Sequence, residues 1–245
     1  MKKIIYSFLT IVIITTVTIS CKKSESTPST PAYTCATCKS TPDAVVANDG
    51  SNKGVYKGVV IGSTGTIMFN LANSGTTINA LMVIDGVTVN LTSAVSIVAG
   101  QTYVAPFTGT LNGSAVSITF SVSSIGANPT VTTSSIPGHP SSSFAIIKET
   151  SASLVECFEG SYSTTKPQKG TFNLILSRGL KLHSGASRKD GTTTSNPFNG
   201  IINANNELID ASSSNYLATL SGDNLSGKFV DDNGSTVTVT AKRTF

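Results

Sequence analysis

Cys35-Ala-Thr-Cys38 has the spacing of a redox-active or metal-binding pair, and Cys157 lies far downstream of it. Catalytic C-x-x-C pairs open a helix that lowers the thiol pKa. This one follows Thr27-Pro28-Ser29-Thr30-Pro31 instead. Zinc bound by Cys35, Cys38, Cys157 and a histidine would lack the second C-x-x-C or H-x-x-x-H that such sites use. One disulfide is the simplest reading, within Cys35–Cys38 or from one of them to Cys157, with one thiol left over. His139 stands in Ile136-Pro137-Gly138-His139-Pro140, a rigid loop, and His183 stands among Lys181, Arg188 and Lys189, as an exposed polar residue would. Ser163-Thr164-Thr165-Lys166 spells S-x-x-K, but Pro167 follows at once and no S-D-N or K-T-G comes after it. Asp231-Asp232 precede Asn233-Gly234 at an expected hairpin tip. Adjacent strand residues point to opposite faces, so this pair does not form the facing carboxylates of a glycosidase. No G-x-S-x-G, P-loop, G-x-G-x-x-G or H-E-x-x-H is present. The expectation is a non-enzymatic chain without cofactor or metal. Lys166, Lys169, Arg178, Lys181, Arg188 and Lys189 fall within 24 positions and form a candidate patch for an anionic glycan, lipid phosphate or acidic partner. A solvated hairpin face is the competing reading. With no Trp, sugar rings could stack only on Phe or on Tyr56, Tyr103, Tyr162 and Tyr216.

The start of the chain carries an address. Lys2 and Lys3 precede an apolar run from Ile4 to Ile19 that ends at Ser20-Cys21. Sixteen residues are too few for a membrane span of roughly 20, and a basic start, apolar middle and small residue define a secretory signal over residues 1–20. Thr18-Ile19-Ser20-Cys21 resembles the lipobox of bacterial lipoproteins, although Thr18 stands where that family usually carries Leu. The resemblance implies a diacylglycerol thioether on Cys21, a mature N-terminus there, and a place in the cell envelope, at the outer membrane. Export would put the remaining cysteines in an oxidising compartment.

These residues must be positioned by something, and composition says by strands. Charged residues make up only 12% of the chain, which favours β-strands and turns over helices rich in Glu and Lys. Without Lys2 and Lys3, 15 basic face 13 acidic side chains, too even a balance for nucleic acid. Residues 21–53, rich in Ser, Thr, Pro and Lys, read as a lipidated N-terminus and disordered tether. From Gly54 onward apolar residues alternate: Ile67, Phe69, Leu71; Val87, Val89, Leu91; Val116, Ile118, Phe120, Val122; Val237, Val239. Period two marks half-buried antiparallel strands. Asp85-Gly86, Asn112-Gly113, Asp190-Gly191 and Asn233-Gly234 supply hairpin turns between them.

A repeat runs through this pattern. Tyr56 finds Tyr162 at an offset of 106, while Gly65-Thr66 finds Gly170-Thr171 and Asp85-Gly86 finds Asp190-Gly191 at 105. Pro106-Phe107-Thr108-Gly109 matches Pro197-Phe198-Asn199-Gly200 at 91, and Lys148-Glu149-Thr150 matches Lys242-Arg243-Thr244 at 94. A duplication of about 95 residues with a deletion after the second Asp-Gly turn accounts for the order. The expected fold is an all-β antiparallel meander, in tandem small barrels or sandwiches over residues 54–150 and 151–245. In lipobox, tether and tandem Gly-Thr-rich β units the chain resembles secreted lipoproteins of Bacteroidota, a likeness that carries no catalytic residue. The leading functional expectation is a lipid-anchored envelope protein with a surface or interaction role. A carrier for a small hydrophobic ligand or glycan is the alternative, and an enzyme with an unfamiliar site the third.

Overall fold

The computed structural model describes residues 33–245, so the expected signal segment and the expected lipidation at Cys21 lie outside the described residues. The first eight strands are β1 (Gly54–Ile61), β2 (Gly65–Leu71), β3 (Ile78–Ile84), β4 (Val87–Thr92), β5 (Tyr103–Leu111), β6 (Ser114–Val122), β7 (Thr130–Ser135) and β8 (Ser143–Glu149). The second eight are β9 (Glu156–Thr164), β10 (Lys169–Ser177), β11 (Leu182–Lys189), β12 (Ser195–Ile202), β13 (Glu207–Asp210), β14 (Tyr216–Ser221), β15 (Asn224–Val230) and β16 (Thr236–Arg243). Short hairpins make sequence neighbours into sheet neighbours, so the fold is all-β and antiparallel. β8 returns beside β1 in the order β7-β6-β5-β4-β3-β2-β1-β8, and β16 returns beside β9 to close the second sheet into a barrel. The first barrel is nearly closed, its seam lying between β7 and β8.

The two sheets share one strand order, and the β2–β3 hairpin matches β10–β11 in register at the offset of 105. Gly65 pairs with Ile84 and Leu71 with Ile78; Gly170 pairs with Lys189 and Leu176 with His183. Both Asp-Gly dipeptides therefore fall at the tip between the third and fourth strands of their barrel. Asp85 and Gly86 both adopt positive φ, as a two-residue type I′ turn requires. At the second tip only Gly191 does, within a longer loop. Three sequence matches do not survive the pairing. Tyr56 lies opposite Phe69, whereas Tyr162 lies opposite Gly170, so Phe158 opposite Leu174 is the counterpart of Tyr56. Pro106 is in β5 but Pro197 is in β12, a fourth strand, so the shortening falls in the loop after β12 and in the four-residue β13. Lys148 lies opposite Tyr56 on the inner face, while Lys242 lies opposite Glu159 on the outer one.

Barrel 1 is filled. Tyr56, Phe69, Phe107 and Phe120 form a continuous aromatic core, with Phe69 and Phe120 stacked at 4.3 Å. β1 is buried on both faces. Its inner residues face that core, and on its outer face Val59 and Ile61 pack against Val155, Cys157, Ile175 and Ala186. Asn173 joins the barrels, donating to the carbonyls of Val60 and Ser63 at 2.7 Å each. Lys57, also outward and only 2% exposed, is paired at 2.6 Å with Glu149, which is 0% exposed. Glu149 also accepts from the backbone N–H groups of Asp43 and Val155.

Residues 33–53, expected as the end of a disordered tether, are instead packed against the barrels. A 3₁₀ turn at Val46–Asn48 is fastened by Asn48 and Lys148, the Asp43 carboxylate reaches Lys57 at 3.3 Å, and Tyr33 Oη donates to the carbonyl of Arg243. Their few apolar groups understate this because the segment is held by hydrogen bonds and ion pairs. The disulfide alternatives also resolve: Cys35 bridges Cys38, and Cys157 is a buried free thiol inside β9.

Candidate functional site

Barrel 2 repeats the fold but not the filling. Opposed residues of paired strands share a face, so the inward residues of the two hairpins can be matched one to one. Ala80, Met82 and Ile84 on β3 become Gly185, Ser187 and Lys189 on β11. Across from them, Val89 and Leu91 on β4 become Asn196 and Phe198 on β12. The lower layers of barrel 2 remain mostly apolar, built from Phe158, Leu174, Leu176, Leu208, Leu220 and Leu225, with His183 opposite Leu176. Its upper layer has exchanged Met82, Ile84 and Val89 for the polar Ser187, Lys189 and Asn196.

The result is a cup of about 520 Å³ open at one barrel end. Tyr162, Phe172, Phe198 and Phe229, from four different strands, supply its aromatic wall, with Val237 and Val239 beside them. Phe172 and Phe198 stack at 4.8 Å and 15°. The rim is polar and carries Ser187, Asn196, Asp210, Asn215, Asp231 and Asp232. Burial pushes the Tyr162 phenol above its ordinary pKa, with the Asp190 charge adding to the effect. At Asp210 burial acts upward, but hydrogen bonds from the Ser212 hydroxyl and the N–H groups of Ser212 and Ser213 prevail, and the carboxylate is held below its usual range.

His183 is not the exposed residue its basic neighbours implied. It occupies the inward position matched to Ile78 and is 4% exposed. Its Nε2 lies 3.1 Å from the carbonyl of Ile209 and must donate to it, which leaves Nδ1 as a buried acceptor without a partner. Burial lowers its pKa, against smaller opposing effects of the Ile209 carbonyl and Asp210. Alternation along β11 would have placed it inside, but the surrounding charges masked that signal.

The six-cation patch is not one patch. Lys166, Lys169 and Lys189 lie around the cup end, whereas Arg178 and Lys181 sit in the β10–β11 turn at the opposite end. Arg188 is buried and donates to Ser141, Ser143 and Ser195, tying the β7–β8 loop to barrel 2. Hairpins send residues nine positions apart to opposite barrel ends, so closeness in sequence was misleading. His139 Nε2 lies 3.1 Å from Asp85, whose other carboxylate oxygen accepts from Thr64. Ser163 is on a strand, and the Lys166 ammonium donates to the carbonyl of Asn233. Asp231 is at a hairpin tip as expected, accepting from the N–H groups of Asn233 and Ser235. Among the described residues no group of three or more His, Cys, Asp or Glu is gathered as a metal site.

A second hollow, a groove of about 640 Å³, lies at the other end of barrel 2 between the N-terminal segment and the β10–β11 turn. Its charges satisfy one another: Glu156 pairs with Arg178 at 2.7 Å and with Arg243 at 2.9 Å, and Asp223 lies 3.6 Å from Arg243. The cup has no such internal pairing of cation with anion, and its aromatic wall makes it the better candidate for a ligand. Comparison with family models, curated proteins and solved structures finds no match for this chain.

Proposed function

We propose that this chain is a lipid-anchored cell-envelope protein without catalytic activity, whose second barrel holds a small amphipathic ligand while the first serves as scaffold. The observation that carries the ligand reading is the exchange of Met82 and Val89 for Ser187 and Asn196 at matched inward positions, which leaves an aromatic cup in one copy and a filled core in the other. A volume of about 520 Å³ falls in the range of small-molecule sites, which combine apolar walls with a few polar groups. The anchoring reading rests on Lys2, Lys3, the Ile4–Ile19 run and Ser20-Cys21. It carries with it export to the envelope and the outer membrane.

The test of the cup is a titration of the purified protein with 1-N-phenylnaphthylamine, whose fluorescence rises on entering an apolar site. Saturable one-to-one binding is expected, and the double variant Ser187→Met, Asn196→Val, which restores the residues of barrel 1, should abolish it with unchanged circular dichroism. No saturable binding by the wild type, or equal binding by the folded double variant, would reject the cup. A glycan is the second reading, favoured by Asn196 and Asn215 on the rim beside the aromatic wall. Displacement of the probe by soluble envelope oligosaccharides selects it. Anchoring is tested separately: Cys21→Ala should release the protein from the membrane fraction.

A further inference from the structure

The end of barrel 2 opposite the cup presents exposed apolar side chains that its fold does not use. Leu180 in the β10–β11 turn is 56% exposed, Leu182 at the start of β11 is 48% exposed, and Ile201 is 53% exposed. Leu182 and Ile201 are a direct cross-strand pair, and the N–H of Ile202 bonds the carbonyl of Lys181, which brings the turn that carries Leu180 beside them. Lys181, between the two leucines, adopts φ +54 and is exposed.

The first described residue lies at this same end. Tyr33 is fastened to Arg243 at the end of β16 and to Asn224 at the start of β15. Tyr33 lines one groove together with Arg178 and Gly179 of the β10–β11 turn, so the chain enters the fold beside the leucine patch. Cys21 stands twelve positions earlier, a separation an extended chain covers in at most about 40 Å. A lipid on Cys21 would therefore keep Tyr33, at this end of barrel 2, within about 40 Å of a bilayer.

We propose that Leu180, Leu182 and Ile201 seat this end of barrel 2 on the lipid surface, with Lys181 at the headgroups, and so aim the cup away from the membrane. Leucines flanking a lysine suit the interface, where apolar groups enter the acyl boundary and an ammonium meets phosphate. The contact rests on the anchoring reading and adds orientation to it.

The protein contains no Trp, so one introduced Trp reports position without background. Lipidated full-length Leu182→Trp and Thr193→Trp would be reconstituted into phosphatidylcholine and phosphatidylglycerol vesicles containing lipid brominated on its acyl chains. Thr193 is the comparison because it is exposed in the β11–β12 loop at the cup end without lining the cup. Co-sedimentation of both variants with the vesicles after a salt wash establishes the anchor. Given that, the proposal expects a blue-shifted Leu182→Trp emission quenched at least twofold by the brominated lipid, and Thr193→Trp unquenched. Quenching of neither, of both alike, or of Thr193→Trp alone overturns it. A blue shift at Leu182→Trp without quenching also overturns it, since the patch then meets protein and not lipid. Failure to co-sediment rejects the anchor itself and is read apart from the quenching.

Discussion

Lys57 and Glu149 show how a charge survives where the barrels meet. A fully buried ion pair is tolerable when further hydrogen bonds serve its remaining lone pairs, and beside Lys57 the Glu149 carboxylate accepts from the N–H groups of Asp43 and Val155. Lys57→Met should lower stability by about 3–5 kcal/mol, because it leaves the carboxylate buried without its cation; the urea midpoint measures the loss. His183 has the opposite problem, an acceptor with nothing to accept from. Its folded pKa lies below the ordinary 6.5, so the unfolded chain takes up a proton that the folded one refuses. Stability is therefore unaffected above about pH 6.5 and declines as pH falls below it, until the folded pKa is passed. His183→Leu, an aliphatic at the position of Ile78, should flatten that decline, which denaturation midpoints between pH 7.5 and 5 would register. An unchanged slope would show that other groups dominate it.

At the level of elements, the Gly86 and Gly191 tips are equivalent in position but not in turn type. Both glycines hold positive φ with open space around them, so Gly86→Val and Gly191→Val should each cost about 1 kcal/mol or more through backbone strain alone. Gly200 is different: a Cβ there would overlap the carbonyl oxygen of Ile209. Gly200→Ala should therefore cost more than either and should distort the β12–β13 pairing, seen as lost amide protection in hydrogen exchange. The strands Ile67–Leu71 and Val116–Val122 were legible because one face of each is wet, so alternation printed the fold onto the sequence. β1 was harder to read since it is buried on both faces and its period is hidden. The cup was nearly illegible: Phe172, Phe198 and Phe229 come from separate strands and share no spacing, and beforehand Tyr162 stood out as a stacking ring, Asp231-Asp232 as a turn and Phe198 as part of the repeat. What could have revealed it was alignment of the copies, where Met82 meets Ser187.

As a whole, the two barrels should unfold together. Their contact buries Val59, Ile61, Cys157, Ile175 and Ala186, and the Asn173 amide and Arg188 guanidinium each cross it. A single calorimetric transition is expected. Asn173→Ala should weaken the whole molecule by about 1–3 kcal/mol, since it leaves the carbonyl of Val60 without this buried donor. Two separate transitions, with the variant affecting only one, would show the barrels to be independent.

The position of Cys157 gives that contact a part in folding as well. Its sulfur lies 3.5 Å from the carbonyl of Gly58 in the other barrel, and burial pushes its pKa far above the ordinary thiol value. Once the barrels have met, the thiolate that disulfide exchange requires is scarcely formed. Before they meet, it can compete with Cys35 and Cys38 for a disulfide partner. Docking is therefore expected to act as a checkpoint on the order of assembly: a chain that oxidises late should keep the short Cys35–Cys38 bridge, and one that oxidises early should trap Cys157 in the wrong partnership more often. Oxidative refolding of Cys157→Ser should give fewer mispaired monomers and dimers than the wild type, and the difference should vanish when oxidant is added only after the barrels have formed.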